Sequence, residues 1–252
     1  MAQMNFDPEL VGLTSQAITE IAKSVLCHGN VDLARLLIQH AAELELLSPE
    51  LQMCWGGPFN GQTGRIAMVS ELLALLKPQT IVETGTFRGI TTLWFARNFD
   101  GPVWSCEAEE LYLIQARRRL RDCSNDHLEN ADSRHFLKRL MPEFDSDAPL
   151  LFYLDAHWGA NLPLREELQI IFATHSKAVV IVDDFRIPDD PGYTWDDYEE
   201  GARVDAGQLV GAIPDGSSIY FPRLSSADES GARRDCCLAF LASRPSARKS
   251  RV

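Results

Sequence analysis

No apolar run in this 252-residue chain approaches the ~20 residues that a membrane-spanning helix needs. Nor does the chain begin with a basic stretch followed by an apolar one, the mark of a secretory leader, so the expected compartment is the cytoplasm. Basic residues are scarce: 24 Lys and Arg stand against 36 Asp and Glu, for a formal charge of −12. That balance argues against a nucleic-acid or anionic-membrane partner, because neutralising phosphates takes clustered Lys and Arg. The six cysteines (27, 54, 106, 123, 236 and 237) include no C-x-x-C pair. Cys106 and Cys236 fall inside apparent strands, and the set reads as reduced thiols, not as a disulfide frame or a zinc site. Internal repeats are absent, and so is the G-x-G-x-x-G fingerprint of a dinucleotide fold.

What the chain does have is ordinary globular composition, 45% hydrophobic, and enough length for one large core with an accessory segment. Residues 8–47 carry helical periodicity: Leu10, Leu13, Ala17, Ile21 and Val25, then Leu33, Leu36 and Leu37. His28 and His40 read as cap or surface residues. Another helix is expected over 65–76, closed by Lys77-Pro78. From Thr80 the pattern alternates, with strands expected at 80–84, 102–107, 149–155 and 178–183, a weaker one near 127–130, and helices at 90–98, 108–121, 133–140 and 163–173. Regular β-then-α alternation implies right-handed crossovers and a parallel sheet. The end differs: 218–221 and 236–241 read as two strands joined without a helix, an antiparallel hairpin. The expected organisation is an N-terminal helical cap or arm (1–64), an α/β domain (65–243) and a frayed tail (244–252). The cap could also support a homodimer.

The most informative stretch is Ile81-Val82-Glu83-Thr84-Gly85-Thr86-Phe87-Arg88-Gly89, a β-branched strand entering a glycine turn just ahead of a helix. Gly85 permits backbone angles closed to other residues and lets a ligand approach the main chain. The pattern is E-x-G-x-x-x-G. Glu83 would repel a pyrophosphate but could pair with a cationic amino group. Glu107 closes the next strand, 24 residues on, near the separation of an acid that accepts both hydroxyls of a ribose. Asp132 follows the weak third strand, where it is either a helix N-cap or part of a ligand turn.

This order of elements resembles the class I S-adenosylmethionine (SAM) methyltransferases, a Rossmann-like sheet ending in an antiparallel hairpin. The resemblance implies that Glu83, Gly85, Thr86, Phe87, Gly89 and Thr91 hold the methionine end of SAM, with Asp155 nearby. It also implies that Glu107 holds the ribose and that Asp132 and Ser133 hold the adenine.

A second acidic cluster lies further along. Asp155 ends one strand in Phe152-Tyr153-Leu154-Asp155-Ala156-His157-Trp158, and Asp183 and Asp184 end the next. Three ionised carboxylates do not sit together uncompensated in a partly dry cleft. Protonation, divergent orientation or a bound cation must resolve the conflict, and oxygen ligands favour Mg²⁺, Mn²⁺ or Ca²⁺. Over residues 80–185 the arrangement is similar to macrocin-type sugar O-methyltransferases, which implies metal ligands at Asp155, Asp183 and Asp184 and a catalytic base at Asp155. The segment from Asp155 to Trp158, with 163–168 after it, looks more like a group of uncharacterised bacterial class I methyltransferases. His157 is a second candidate base or a metal ligand. Trp158 and Trp195 could line an acceptor pocket, residues 59–62 with Arg65 could fold over the cofactor, and the acidic, aromatic segment 189–200 could be a lid. The expected function is metal-assisted O-methylation of a small molecule, a sugar, vicinal diol or phenol, in secondary metabolism. The alternatives are an NAD(P)-dependent oxidoreductase and a non-catalytic interaction protein.

Overall fold

In the computed structural model, residues 8–47, 56–157, 159, 161–198 and 202–241 are described. Cys54, Trp158, Glu199, Glu200 and the expected tail lie outside them. Seven strands form among the described residues: β1 Thr80–Thr84, β2 Val103–Glu107, β3 Asp126–Asn130, β4 Leu150–Leu154, β5 Val179–Asp183, β6 Ser217–Tyr220 and β7 Cys236–Leu241. They make one sheet in the order β3-β2-β1-β4-β5-β7-β6. The first five are parallel, and β7 runs antiparallel between β5 and β6. This mixed order is that of the class I methyltransferase sheet. The order reverses between β1 and β4, which is where open α/β sheets bind ligands beyond their carboxyl ends.

Strand alternation divides the core. Val82, Cys106, Phe152, Leu154, Val180 and Val182 face α6 (Ser133–Leu140) and α7 (Leu164–Thr174). Ile81, Val103, Leu151, Tyr153 and Ile181 face Phe59, Val69 of α3 (Thr63–Leu76) and Phe95 of α4 (Ile90–Asn98). Helix α3 begins two residues before the expected domain start at 65, so it belongs to the sheet's flanking layer. The central strands β1 and β4 are buried throughout, whereas β3 and β6 at the edges are not.

Helices α1 (Pro8–Cys27) and α2 (Val31–Leu46) pair as a hairpin, and α2 packs on α5 (Glu110–Arg119) through Ile38, Ala41 and Leu111. Asn30 caps α2 by accepting a hydrogen bond from the Leu33 amide. Arg35 donates to Glu110 at 2.8 Å, adding a polar tie beside the apolar seam. Leu13, Ile21, Leu33 and Leu36 remain exposed on the hairpin, the surface that a dimer through these helices would have to cover. No helix among the described residues is long and apolar enough to cross a membrane. Cys106, Cys236 and Cys237 are buried free thiols.

Candidate functional site

The loop after β1 folds as its glycines require. Gly85 has φ +85°, and a Cβ there would strike the Asp155 carbonyl, so the β1 and β4 tips touch through a glycine. The Asp155 amide donates to the Thr84 carbonyl at 2.9 Å, and the Gly85 and Thr86 amides donate to Cys106 at 3.0 Å. Gly89 (φ +74°) caps α4, and a Cβ there would press on Ala116 of α5 and on Leu120, the α5 C-cap. A crevice at this edge is lined by Gly57, Asn60, Gly85, Thr86, Phe87, Thr91, Asp155 and Asp183. Phe59, Asn60, Phe87, Asp184 and Arg233 all have positive φ without being glycine. Such conformations cost about 1–3 kcal/mol each and gather where function over-determines the backbone.

The two expected cofactor acids differ in setting. Glu107 lies at the β2 tip, half-buried. Its carboxylate accepts from the Phe87 amide at 2.7 Å and the Glu109 amide at 2.9 Å. Burial raises its pKa, and those amides oppose the rise. It ties the β1 loop to β2 while keeping lone pairs free for a diol. Glu83 is 1% exposed and points under the loop, accepting from Ser105 at 2.6 Å and from Thr92 of α4. Burial pushes its pKa up to about 7, with the two hydroxyls pulling it back. Its carboxylate therefore lies behind the crevice wall, whereas Asp155 is part of that wall. Thr91 accepts from the Phe59 amide at 3.3 Å and so holds the 58–61 turn over the crevice. Phe59 itself is packed edge-on against Trp94, Phe95 and Tyr153.

Asp132 is the N-cap of α6. It accepts from the Arg134 amide at 2.9 Å and pairs with the Arg134 guanidinium at 2.6 Å. That pairing holds its pKa down at about 2. Ser133 is buried beside Glu167 of α7, whose pKa burial lifts to about 7 against the Ser133 and Thr84 hydroxyls.

The second acidic cluster is sorted by its partners. Asp183 is 1% exposed and fully engaged. It forms an ion pair with Arg65, accepts from the Tyr153 hydroxyl and the Asn60 amide, and takes the Asp184 amide at 2.9 Å. Arg65, expected over the cofactor, is instead a buried counter-ion that also donates to the Arg234 carbonyl. The structure brings Asp155, His157 and Asp184 together, each offering a ligand atom within 4.8 Å of the others. Of the three aspartates expected as metal ligands, Asp155 and Asp184 converge with His157, and Asp183 turns away to Arg65. Burial and the Asp183 and Asp184 charges raise the pKa of Asp155 well above the carboxylate range. Burial and Asp183 put Asp184 at about 7, although Arg234 donates to it at 2.5 Å. His157 is 2% exposed, and burial lowers its pKa against the pull of Asp183 and Asp196.

Arg234 pairs with both Asp184 and Asp196 and so clamps the segment after β5. Tyr198 donates to Asp196 and to the His157 carbonyl. Asp190 accepts from the Ser226 amide at 2.7 Å, and the Tyr193 hydroxyl reaches Leu224. The described part of the expected lid is therefore fastened to the chain on both sides. Trp195 lies under Arg186 at 5.1 Å. Sequence reasoning missed Arg234, Tyr153, Glu167 and Glu45. Glu167 alone left a signal, lying on the apolar face of α7 with Leu164, Leu168 and Ile171. Glu45 is 4% exposed and accepts from Ser15 at 2.8 Å and Arg88 at 3.1 Å, which fixes the helical hairpin to the β1 loop.

No known family profile and no curated protein matches the chain. Solved structures do. A candidate O-methyltransferase from Klebsiella pneumoniae superposes with a TM-score of 0.53 at 19% identity, covering 72% of this chain and 81% of that one. The O-methyltransferase TomG of Streptomyces achromogenes, involved in tomaymycin synthesis and solved with SAM, gives 0.51 at 20% identity over 70% and 78%. A mutant of MtNAS gives 0.51 at 14% identity over 92% and 86%. Strand order and these superpositions together show that the chain has the Rossmann-like fold of class I methyltransferases.

Proposed function

We propose that this protein is a SAM-dependent methyltransferase that O-methylates a small molecule with help from a divalent cation. The observation that carries the reading is the crevice at the β1–β4 switch point, with Asp155 in its wall and the Glu107 carboxylate bonded to the amide of Phe87, one of its lining residues. Glu107 would accept the ribose hydroxyls. The 85–87 backbone and Asp155 would meet the cationic methionine end, and Glu83 would brace the loop from below. TomG, a SAM-bound O-methyltransferase of tomaymycin synthesis, is in keeping with this cofactor and with a small-molecule acceptor in secondary metabolism.

The residues fit a cation at Asp155, His157 and Asp184, because buried His157 brings a ring nitrogen within 4.8 Å of a carboxylate oxygen from each aspartate. Asp183 does not fit, being taken by Arg65. A divalent ion there supplies positive charge that lowers the pKa of an acceptor hydroxyl. A sugar, vicinal diol or phenol suits such a site. The chain's own part is alignment and proton removal. Asp155, in the crevice wall, would take the hydroxyl proton. SAM, held by the 85–87 backbone, Asp155 and Glu107, would supply the methyl group, and these residues would hold it in line with the acceptor oxygen.

Calorimetry with SAM and with NAD⁺, followed by a methyl-transfer screen over hydroxylated small molecules, tests this. SAM binding and turnover lost in Asp155→Ala are expected. NAD⁺ binding without SAM binding would overturn it in favour of an oxidoreductase. Turnover that is the same in Asp155→Ala and wild type would remove the proposed base.

A further inference from the structure

We infer that Asp155, His157 and Asp184 form a mixed nitrogen–oxygen site that selects a divalent transition metal, from Mn²⁺ to Zn²⁺, over Mg²⁺ or Ca²⁺. The inference rests on the cation in the function proposed above and names its ligands and its class.

Three observations carry it. The ligand atoms come from two adjacent strand tips and lie within 4.8 Å of one another. A first-row ion holds neighbouring donors about 3.0–3.4 Å apart, so the cluster closes on one with small side-chain movements. Second, the His157 side chain has no exposure, and neither ring nitrogen meets hydrogen-bond geometry; Nε2 is 3.8 Å from Asp155 Oδ1, beyond hydrogen-bond reach. The Asp183 backbone pulls on the ring as a weak acceptor, which satisfies one nitrogen at most and leaves the other for the cluster. Its backbone is held independently, because Tyr198 donates to the His157 carbonyl at 2.6 Å. Third, the oxygen that would complete an all-carboxylate site is unavailable: Asp183 is paired with Arg65 and Tyr153. Arg234 occupies Oδ1 of Asp184 and leaves Oδ2 for a metal.

The donor set decides the metal. Three carboxylates suit Mg²⁺ or Ca²⁺, whereas imidazole with carboxylates suits the borderline ions, whose affinities rise from Mn²⁺ toward Cu²⁺. Replacing the Asp183 oxygen by the His157 nitrogen therefore shifts the preference.

The test is calorimetry at neutral pH on chelator-stripped full-length protein with Mg²⁺, Ca²⁺, Mn²⁺, Co²⁺ and Zn²⁺ in turn, with and without SAM. Pulsed EPR of the Mn²⁺ form reads nitrogen coordination directly. Co²⁺ and Zn²⁺ are expected to bind about tenfold or more tighter than Mg²⁺. The Mn²⁺ spectrum should carry nitrogen-14 coupling, and His157→Phe should abolish it. Melting temperature and SAM binding report whether that variant is folded. Asp184→Asn is a second probe, expected to weaken Co²⁺ about tenfold or more and to keep the nitrogen coupling. Mg²⁺ binding as tightly as Co²⁺, or bound Mn²⁺ without nitrogen coupling in the wild type, would overturn the inference. SAM binding with no metal binding would also overturn it and leave the methyltransferase reading standing. A nitrogen-ligated metal in a protein that ignores SAM would spare this site and sink that reading instead.

Discussion

Replacing Glu83 by Gln should flatten part of the dependence of stability on pH. The carboxyl is 1% exposed under the β1 loop, and folding lifts its pKa from 4.5 to about 7. A group raised in this way is protonated in both states below about pH 4.5 and ionised in both above about pH 7. Between those limits the unfolded chain releases its proton first, so stability falls as pH rises. At about 1.4 kcal/mol per pH unit the loss amounts to about 3 kcal/mol. For a chain of this size that corresponds to about 6–12 °C in melting temperature. Glu83→Gln keeps the shape and cannot ionise. Its hydrogen bonds to Ser105 and Thr92 change alike at every pH, because those hydroxyls can turn to accept from the new amide. The Glu83 charge also raises the pKa of Asp155, so Asp155 ionises more readily in the variant and adds to the effect in the same direction. Thermal melts of both proteins from pH 4.5 to pH 8 without ligand give the answer as a difference. The variant should gain on the wild type by about 3 kcal/mol across that window. A difference that stays constant, or moves toward the wild type as pH rises, would refute the buried setting of Glu83.

Gly85→Ala needs φ +85° and drives a methyl into the Asp155 carbonyl. It should cost about 2–4 kcal/mol in denaturant melts and remove SAM binding. Glu107→Ala takes away the acceptor of the Phe87 amide and of the proposed ribose contact; calorimetry should show SAM weakened about 10–100-fold, and an unchanged affinity would move the ribose elsewhere. Glu45→Ala removes the carboxylate that faces Arg88 at 3.1 Å and buried Arg119 at 3.9 Å, while Arg119 keeps its bond to the Arg88 carbonyl. It should cost about 1–3 kcal/mol, with faster hydrogen exchange at 86–89 than in the wild type.

The sheet was readable because its signals are local. Strands β1, β2, β4 and β5 are β-branched or aromatic runs bounded by turns, and their observed limits fall within a residue of those expected. The antiparallel end was readable from the missing helix between 221 and 236. The acids at the strand tips were readable as positions, because alternation and strand ends fix where a residue sits. Their partners were not. Asp183 meets Arg65 across 118 residues of sequence, and nothing near either one announces the pairing. The same holds for Arg234 with Asp184 and Asp196, and for Glu45 with Arg88. Long-range ion pairs depend on how layers stack, which periodicity does not encode. Asp132 illustrates the opposite case. The local rule that an Asp before a helix caps it describes what the structure does, with Arg134 completing the cap.

The position of β7 has a consequence for biosynthesis. It follows the other six strands in sequence order, yet it is inserted between β5 and β6. Arg234, two residues before it, is the cation that faces Asp184 and Asp196. While the ribosome still holds residue 234, the first five strands can pair, but their acidic rim has no arginine from this segment and β5 has an open edge. A nascent chain stalled there would be an aggregation-prone half-sheet with a self-repelling margin. The closing strand thus completes the hydrogen-bonded sheet and delivers the balancing charge in one late event.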